Sequence, residues 1–159
     1  MGKIRYLVMD VDGTLTDGKI YMGENGEMMK AFNIKDGYAI SHILPAHGII
    51  PIVITGRESK IVENRCKELG ITEIHQGCLD KKGRLIEILE RYGEDTTGDK
   101  LPYCACIGDD VLDLPLMEMC EISGCPADAC DNVKETVGVV SKYDGGDGAV
   151  REFIETIIM

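Results

Sequence analysis

Three short apolar runs in this chain stop abruptly at polar clusters, and that pattern restricts the fold more than any other feature. Ile4 to Met9, interrupted only by Arg5, then Ile49 to Ile54 and Tyr103 to Ile107, are apolar at alternate and intervening positions alike. Strands of that kind are buried on both faces, as in a parallel sheet covered by helices. Two intervening stretches have helical spacing, SKIVENRCKELG from Ser59 and KKGRLIEILERYG from Lys81, and each is closed by a glycine. Strand followed by helix, in repetition, predicts an α/β sandwich of three layers with a mainly parallel sheet.

A further strand is expected around Thr72 to His75, a weaker one around Gly138 to Val140, and a last helix in GAVREFIETIIM. One segment departs from the alternation. Residues 19–33, KIYMGENGEMMKAFN, set a GENG turn between two strand-like runs and read as a β-hairpin. Lying between the first strand and the first helix, it should project from the edge where the strands end. EDTTGDKL, residues 94–101, reads as a polar surface turn. At 159 residues the chain suits one domain spanning 1–159, with the hairpin as an insert.

Composition removes several function classes. The net charge of −11 argues against nucleic acid and anionic membrane surfaces, both of which select basic patches. No apolar run approaches the roughly 20 residues of a membrane span. Lys3 and Arg5 interrupt the opening segment where a secretory leader would be apolar, so a cytoplasmic protein is expected. The seven cysteines are odd in number and scattered, which reads as reduced thiols; Cys120, Cys125 and Cys130 lack the CxxC pairing of a zinc site. His42, His47 and His75 read as surface or core residues.

In open parallel sheets, ligands sit beyond the carboxyl ends of the strands. Four polar clusters fall there: Asp10 to Gly13, Thr55 to Arg57, Gly77 to Lys82 and Gly108 to Asp113. Four carboxylates, Asp10, Asp12, Asp109 and Asp110, should then converge. At about 4 Å in an effective dielectric of about 20 each pair repels by on the order of 4 kcal/mol, which a divalent cation relieves. All-oxygen donors with no His or Cys at ligand spacing select Mg²⁺ rather than zinc, and Mg²⁺ so held keeps positions open for phosphate oxygens. Phosphoryl chemistry follows, with Asp10 as the nucleophile and Asp12, two positions on, as the acid and base. The Thr55 hydroxyl and the Lys81 ammonium would bind the phosphoryl oxygens, Lys82 competing with Lys81 for that task.

The order DVDGT, ITGR, a lysine before a helix, and GDDVLD resembles the four motifs of the haloacid dehalogenase superfamily of phosphotransferases. That resemblance implies a Rossmann-like core and prefers Lys81 to Lys82. It makes Asp109 a metal ligand beside the Asp10 side chain and the Asp12 backbone oxygen, with Asp110 and Asp113 as supporting carboxylates. A narrower likeness runs through DGKIYMGENGEMMKAFNIKDGYAI, VITGRESKIVENRCKELGI, HQGCLDK, IGDDVLDLPLME and GGDGAVRE. These stretches are similar to the phosphatases of 3-deoxy-D-manno-octulosonate 8-phosphate, whose product enters lipopolysaccharide or surface polysaccharide biosynthesis. What the likeness implies is an enzyme without a cap domain, acting on a small anionic phosphorylated sugar acid. It also implies a homotetramer, in which the hairpin and a neighbouring subunit roof the site. Only about 40 residues separate the first two motifs, which leaves no room for a cap.

By the same likeness Phe32, Asn33, Asp36 and Gly37 match the loop beside the phosphate site, Gly56 is a further substrate-binding position, and Arg57 and Arg65 meet the sugar-acid carboxylate. The chain departs from the group at Asp147, where a basic residue is common. Two other readings stay open. One is a phosphatase of a nine-carbon sugar acid 9-phosphate, in which an acidic residue tends to stand where this chain has Arg57. The other is a non-catalytic oligomerisation module of sugar-nucleotide synthesis, which loss of the catalytic carboxylates would mark; here they are all present.

Overall fold

The structure, a computed structural model, describes residues 3–159. Strand β1 (Tyr6–Met9) is followed by a hairpin of β2 (Tyr21–Gly23) and β3 (Gly26–Met29). A helical run comes next, made of α1 (Ile34–Tyr38), a π-helical stretch (Ala39–Ile43) and α2 (Leu44–Ala46). Strands and helices then alternate: β4 (Ile50–Ile54), α3 (Lys60–Glu68), β5 (Glu73–His75), α4 (Lys81–Arg91) and β6 (Leu101–Ile107). A 3₁₀ turn (Val111–Asp113) leads to α5 (Leu114–Met119), β7 (Cys120–Cys125), α6 (Asp131–Thr136), β8 (Val139–Val140) and α7 (Ala149–Ile158).

Six strands form one parallel sheet in the order β5-β4-β1-β6-β7-β8, and β2 pairs with β3 apart from it. The chain therefore winds outward from β1 in both directions, and the crevice for a ligand opens at the carboxyl end of β1 between β4 and β6. Alternation within the strands builds the layers. Tyr6, Val8, Ile52 and Ile54 pack on one face against Leu85, Ile88 and Leu89 of α4 and Leu116 and Met117 of α5. Leu7, Met9 and Val53 pack on the other against Ile40, Leu44, Val62 and Phe153. Burying each such side chain contributes about 1.5–3 kcal/mol, which explains why these strands carry no polar side.

Helix caps set where the functional side chains begin. Ser59 caps α3, its hydroxyl accepting from the Val62 amide at 3.4 Å. Asp80 caps α4, accepting from the Gly83 amide at 3.0 Å, and this makes Lys81 the first helical residue.

Two features depart from the sequence reading. Strand β7, CEISGC, was not expected, because Glu121, Ser123 and Gly124 break its apolar pattern; its ladder to β6 forms it nonetheless. The 94–101 turn is more firmly fastened than a surface turn. Arg5 and the Tyr6 hydroxyl donate to the Glu94 carboxylate at 2.6 and 2.7 Å, and Leu101, fully buried, already belongs to β6. All seven cysteines are free thiols, Cys130 alone of them exposed. His75 hydrogen-bonds Glu73 at 2.7 Å and His42 stacks on Tyr38. Among the described residues no helix is long and apolar enough to cross a membrane.

Candidate active site

Lys81 is the tie that gathers this site. Its side chain is 3% exposed, and its ammonium donates to Asp10 Oδ1 at 2.9 Å and Asp113 Oδ1 at 2.6 Å. The other oxygen of Asp113 accepts the backbone amides of Asp109 at 3.1 Å and Asp110 at 3.2 Å, so the turn after β6 is folded around that carboxylate. Lys82, its neighbour, is exposed. Ligand oxygens of Asp10, Asp109 and Asp113 all lie within 4.8 Å of one another.

The electrostatics follow from that crowding. Burial, together with Asp10 and then Asp113 and Asp110, pushes the Asp109 carboxyl up to about 8. Burial and Asp10 also raise Asp113, while Lys81 pulls it back. Burial alone would depress the Lys81 ammonium; Asp10 and Asp113 outweigh it and hold the group above its ordinary value. Lysine therefore stays charged, and the trio is still short of positive charge. Three carboxylate donors, Asp113 buried and Asp10 and Asp109 partly so, with no thiol or imidazole among them, fit a hard divalent cation such as Mg²⁺.

The DGT glycine is what lets the two acidic loops touch. Gly13 has φ +87°, and a Cβ there would lie 1.9 Å from Asp109 Oδ2. Behind that loop sits the glycine-rich tail of the same chain: a Cβ on Gly145 would lie 1.9 Å from the Gly13 carbonyl oxygen, and the Gly146 amide donates to Thr14 at 3.1 Å. Asp147, at the departure from the group's pattern, is exposed.

Two of the four carboxylates expected to converge do not join the cluster. Asp110 is exposed, because its oxygen accepts the Val111 amide at 2.7 Å and closes a capping box with Asp113. The Asp12 side chain turns to Lys30, whose ammonium donates to its Oδ1 at 2.5 Å. Glu27 lies 3.5 Å from Lys30 and also accepts from Arg57 at 3.2 Å and from the Ser59 hydroxyl at 2.8 Å. Sequence reasoning missed Lys30 and Glu27, since on a short hairpin strand nothing in the alternation distinguishes an inward lysine from a solvated one.

Arg57 stands at the rim, its Nε 3.9 Å from Asp12 Oδ2. Thr55 is buried at the end of β4, its amide bonded to the His75 carbonyl at 2.9 Å, and Gly56 follows beneath Leu79 and Leu112. Phe32, Asn33, Asp36 and Arg65, expected beside the substrate, gather around a hollow lined by Val11, Leu15 and Ile40. Asn33 caps α1, accepting from the Lys35 and Asp36 amides at 2.8 and 3.2 Å. Asp36 accepts the Arg151 amide at 2.9 Å in the first turn of α7. The Arg65 guanidinium lies over the Phe32 ring at 5.6 Å and pairs with Glu68 at 3.1 Å. Helix ends claim these polar groups because their first amides have no partner within the helix.

A parallel α/β core with this lysine-tied acidic cluster beyond its central strand defines a hydrolase of the haloacid dehalogenase superfamily. In keeping with that class, the chain aligns with a superfamily hydrolase (subfamily III A) from Legionella pneumophila at TM-score 0.89 and 32% identity, covering 98% of this chain and 82% of that one. Over 156 residues it is 42% identical to 3-deoxy-D-manno-octulosonate 8-phosphate phosphatase KdsC of Escherichia coli K12, covering 98% of this chain and 80% of that protein. The crystal structure of the corresponding Moraxella catarrhalis phosphatase, in complex with magnesium, phosphate and KDO, matches at TM-score 0.89 and 37% identity, over 98% and 86% of the two chains. No family model matches the chain. The chain belongs to the 3-deoxy-D-manno-octulosonate 8-phosphate phosphatase family.

Proposed function

We propose that this chain is a Mg²⁺-dependent phosphatase that hydrolyses 3-deoxy-D-manno-octulosonate 8-phosphate through an aspartyl-phosphate on Asp10. The observation that carries the reading is the Lys81 tether. It occupies one oxygen of Asp10 and leaves the other for attack, beside a cluster whose donors suit a hard cation. The side chains of Asp10 and Asp109 and the backbone oxygen of Asp12 would hold Mg²⁺, which when bound offsets the charge of the phosphoryl oxygens.

Asp10 attacks phosphorus as the bond to the sugar oxygen breaks, and Asp12 gives that oxygen its proton. Asp12 then takes a proton from water as the water oxygen attacks phosphorus, which releases inorganic phosphate and restores the Asp10 carboxylate. The Lys81 ammonium and the Thr55 hydroxyl hold the phosphoryl oxygens through both steps, and Arg57 meets the sugar-acid carboxylate. Asp110 and Asp113 support the loop that carries Asp109.

The assembly we propose is a cytoplasmic homotetramer in which the hairpin roofs a neighbour's site. Met22, Met28, Met29 and Ile34 are more than half exposed, an apolar group that a second copy would cover. The test is kcat/KM against phosphorylated eight- and nine-carbon sugar acids, first with Mg²⁺ and then with EDTA. Preference for the eight-carbon ester and silence in chelator are expected; a flat profile, or full activity in EDTA, would overturn the assignment.

A further inference from the structure

We propose that Lys30, carried in by the hairpin, is a positioning residue for the carboxyl of Asp12, an inference that rests on the phosphatase reading above. Lys30 follows β3 directly, and its side chain is 0% exposed. A buried ammonium is costly unless it is paired. Its partners are Asp12 Oδ1 at 2.5 Å and Glu27 Oε1 at 3.5 Å. Glu27 is itself fixed, by Arg57 and by the hydroxyl of Ser59, the residue that caps α3. Through Glu27 the hairpin is thus pinned to the start of α3, and Lys30 has one place to go.

The consequence for Asp12 is geometric. Lys30 occupies Oδ1, while Oδ2 lies 3.9 Å from Arg57 Nε at the exposed rim. Oδ2 is therefore the oxygen at which the proton is given and taken. Without Lys30 the carboxyl, on a loop beyond the strand, could turn about its own bonds and present either oxygen or neither. A role in binding substrate directly is a poor match for an ammonium with no solvent exposure. So the hairpin has a task within its own subunit, apart from any covering of a neighbour.

The test uses the full chain with Mg²⁺ and two esters, the sugar-acid phosphate and p-nitrophenyl phosphate. A sugar alkoxide needs a proton to leave, whereas nitrophenolate leaves without one. The ratio kcat/KM reports events up to formation of the phospho-enzyme, so the later hydrolysis does not blur the comparison. For Lys30→Met the expected loss is about 10- to 100-fold on the sugar ester, part of the roughly 10²–10⁴ that a placed acid supplies, and under about 3-fold on the nitrophenyl ester. In an Asp12→Asn background the same change should cost nothing more.

Equal losses on both esters, or losses that multiply with Asp12→Asn, would overturn the role of Lys30 while leaving the phosphatase reading intact. A wild-type chain inert toward both esters would overturn both. If circular dichroism shows Lys30→Met unfolded, Lys30→Gln, uncharged but able to donate a hydrogen bond, carries the same contrast.

Discussion

Asp36→Asn should stabilise this protein at neutral and alkaline pH and leave it unchanged near pH 4. Asp36 is 2% exposed; Oδ1 accepts the Arg151 amide, and Oδ2 is buried without a partner among the described residues. Burial drives its carboxyl from the ordinary 3.8 up to about 6; the charge of Asp147 adds to the rise, and the amides of Arg151 and Gly148 and the Arg151 side chain oppose it. The sign follows from proton binding. Between those two values the folded state holds a proton that the unfolded chain has released, so stability falls as pH rises through the window and levels off above it. A carboxyl titrating near 6 instead of 3.8 costs on the order of 3 kcal/mol once ionised. Asparagine keeps the acceptor for Arg151 and never ionises. For a domain of this size the gain at pH 8 corresponds to about 6–12 °C in Tm. Thermal and urea unfolding of both proteins from pH 4 to pH 8 would measure it. A difference independent of pH, or one that favours wild type as pH rises, would refute the reasoning.

Two further changes probe the site itself. Lys81→Met removes the ammonium shared by Asp10 and Asp113 and should cost about 3–5 kcal/mol without divalent cation, and turnover with it. Urea unfolding in EDTA checks the first part, and unchanged stability would mean that the tether holds nothing. Gly13→Ala places a Cβ against Asp109 and forces a positive φ on a residue with a side chain, which should cost about 1–3 kcal/mol in strain. Because the clash falls on Asp109, kcat should drop far more than Tm; a fully active variant would contradict the tight approach of the two loops.

Sequence pattern made the central sheet and the acidic end of β1 and β6 legible for one reason: a strand covered on both faces has nowhere to put a polar residue, so Asp10 and Asp109 mark its end. The hairpin was legible from its turn. Strand β7 was not, because its form comes from the ladder to β6 and from α7, where Gly124 leaves room for the Phe153 ring. Nor could pattern say which of four carboxylates would converge. Asp110 and Asp113 differ only in which one the capping box turns outward, and Asp12 is diverted by a lysine 18 positions away. The helix-end contacts of Asn33 and Asp36 were not legible either, since a contact with α7, 115 residues distant, leaves no local trace.

The diversion of Asp12 has an electrostatic logic at the level of the whole rim. The ionisable groups in mutual contact are Asp10, Asp12, Glu27, Asp109 and Asp113, opposed by Lys30, Arg57 and Lys81. With all five carboxylates ionised, the three cations would leave two negative charges, the amount that one proposed Mg²⁺ would cancel. The charges are also partitioned. Lys81 serves the cluster around Asp10, and Lys30 and Arg57 serve Asp12 and Glu27, so the proposed nucleophile and the proposed acid each have their own counterion. An anionic substrate then meets a rim that is locally neutral although the chain carries −11 overall. With Lys30 absent, the same metal would face a rim still one charge too negative. The hairpin lysine thereby contributes to what the site can accept as well as to how Asp12 is held.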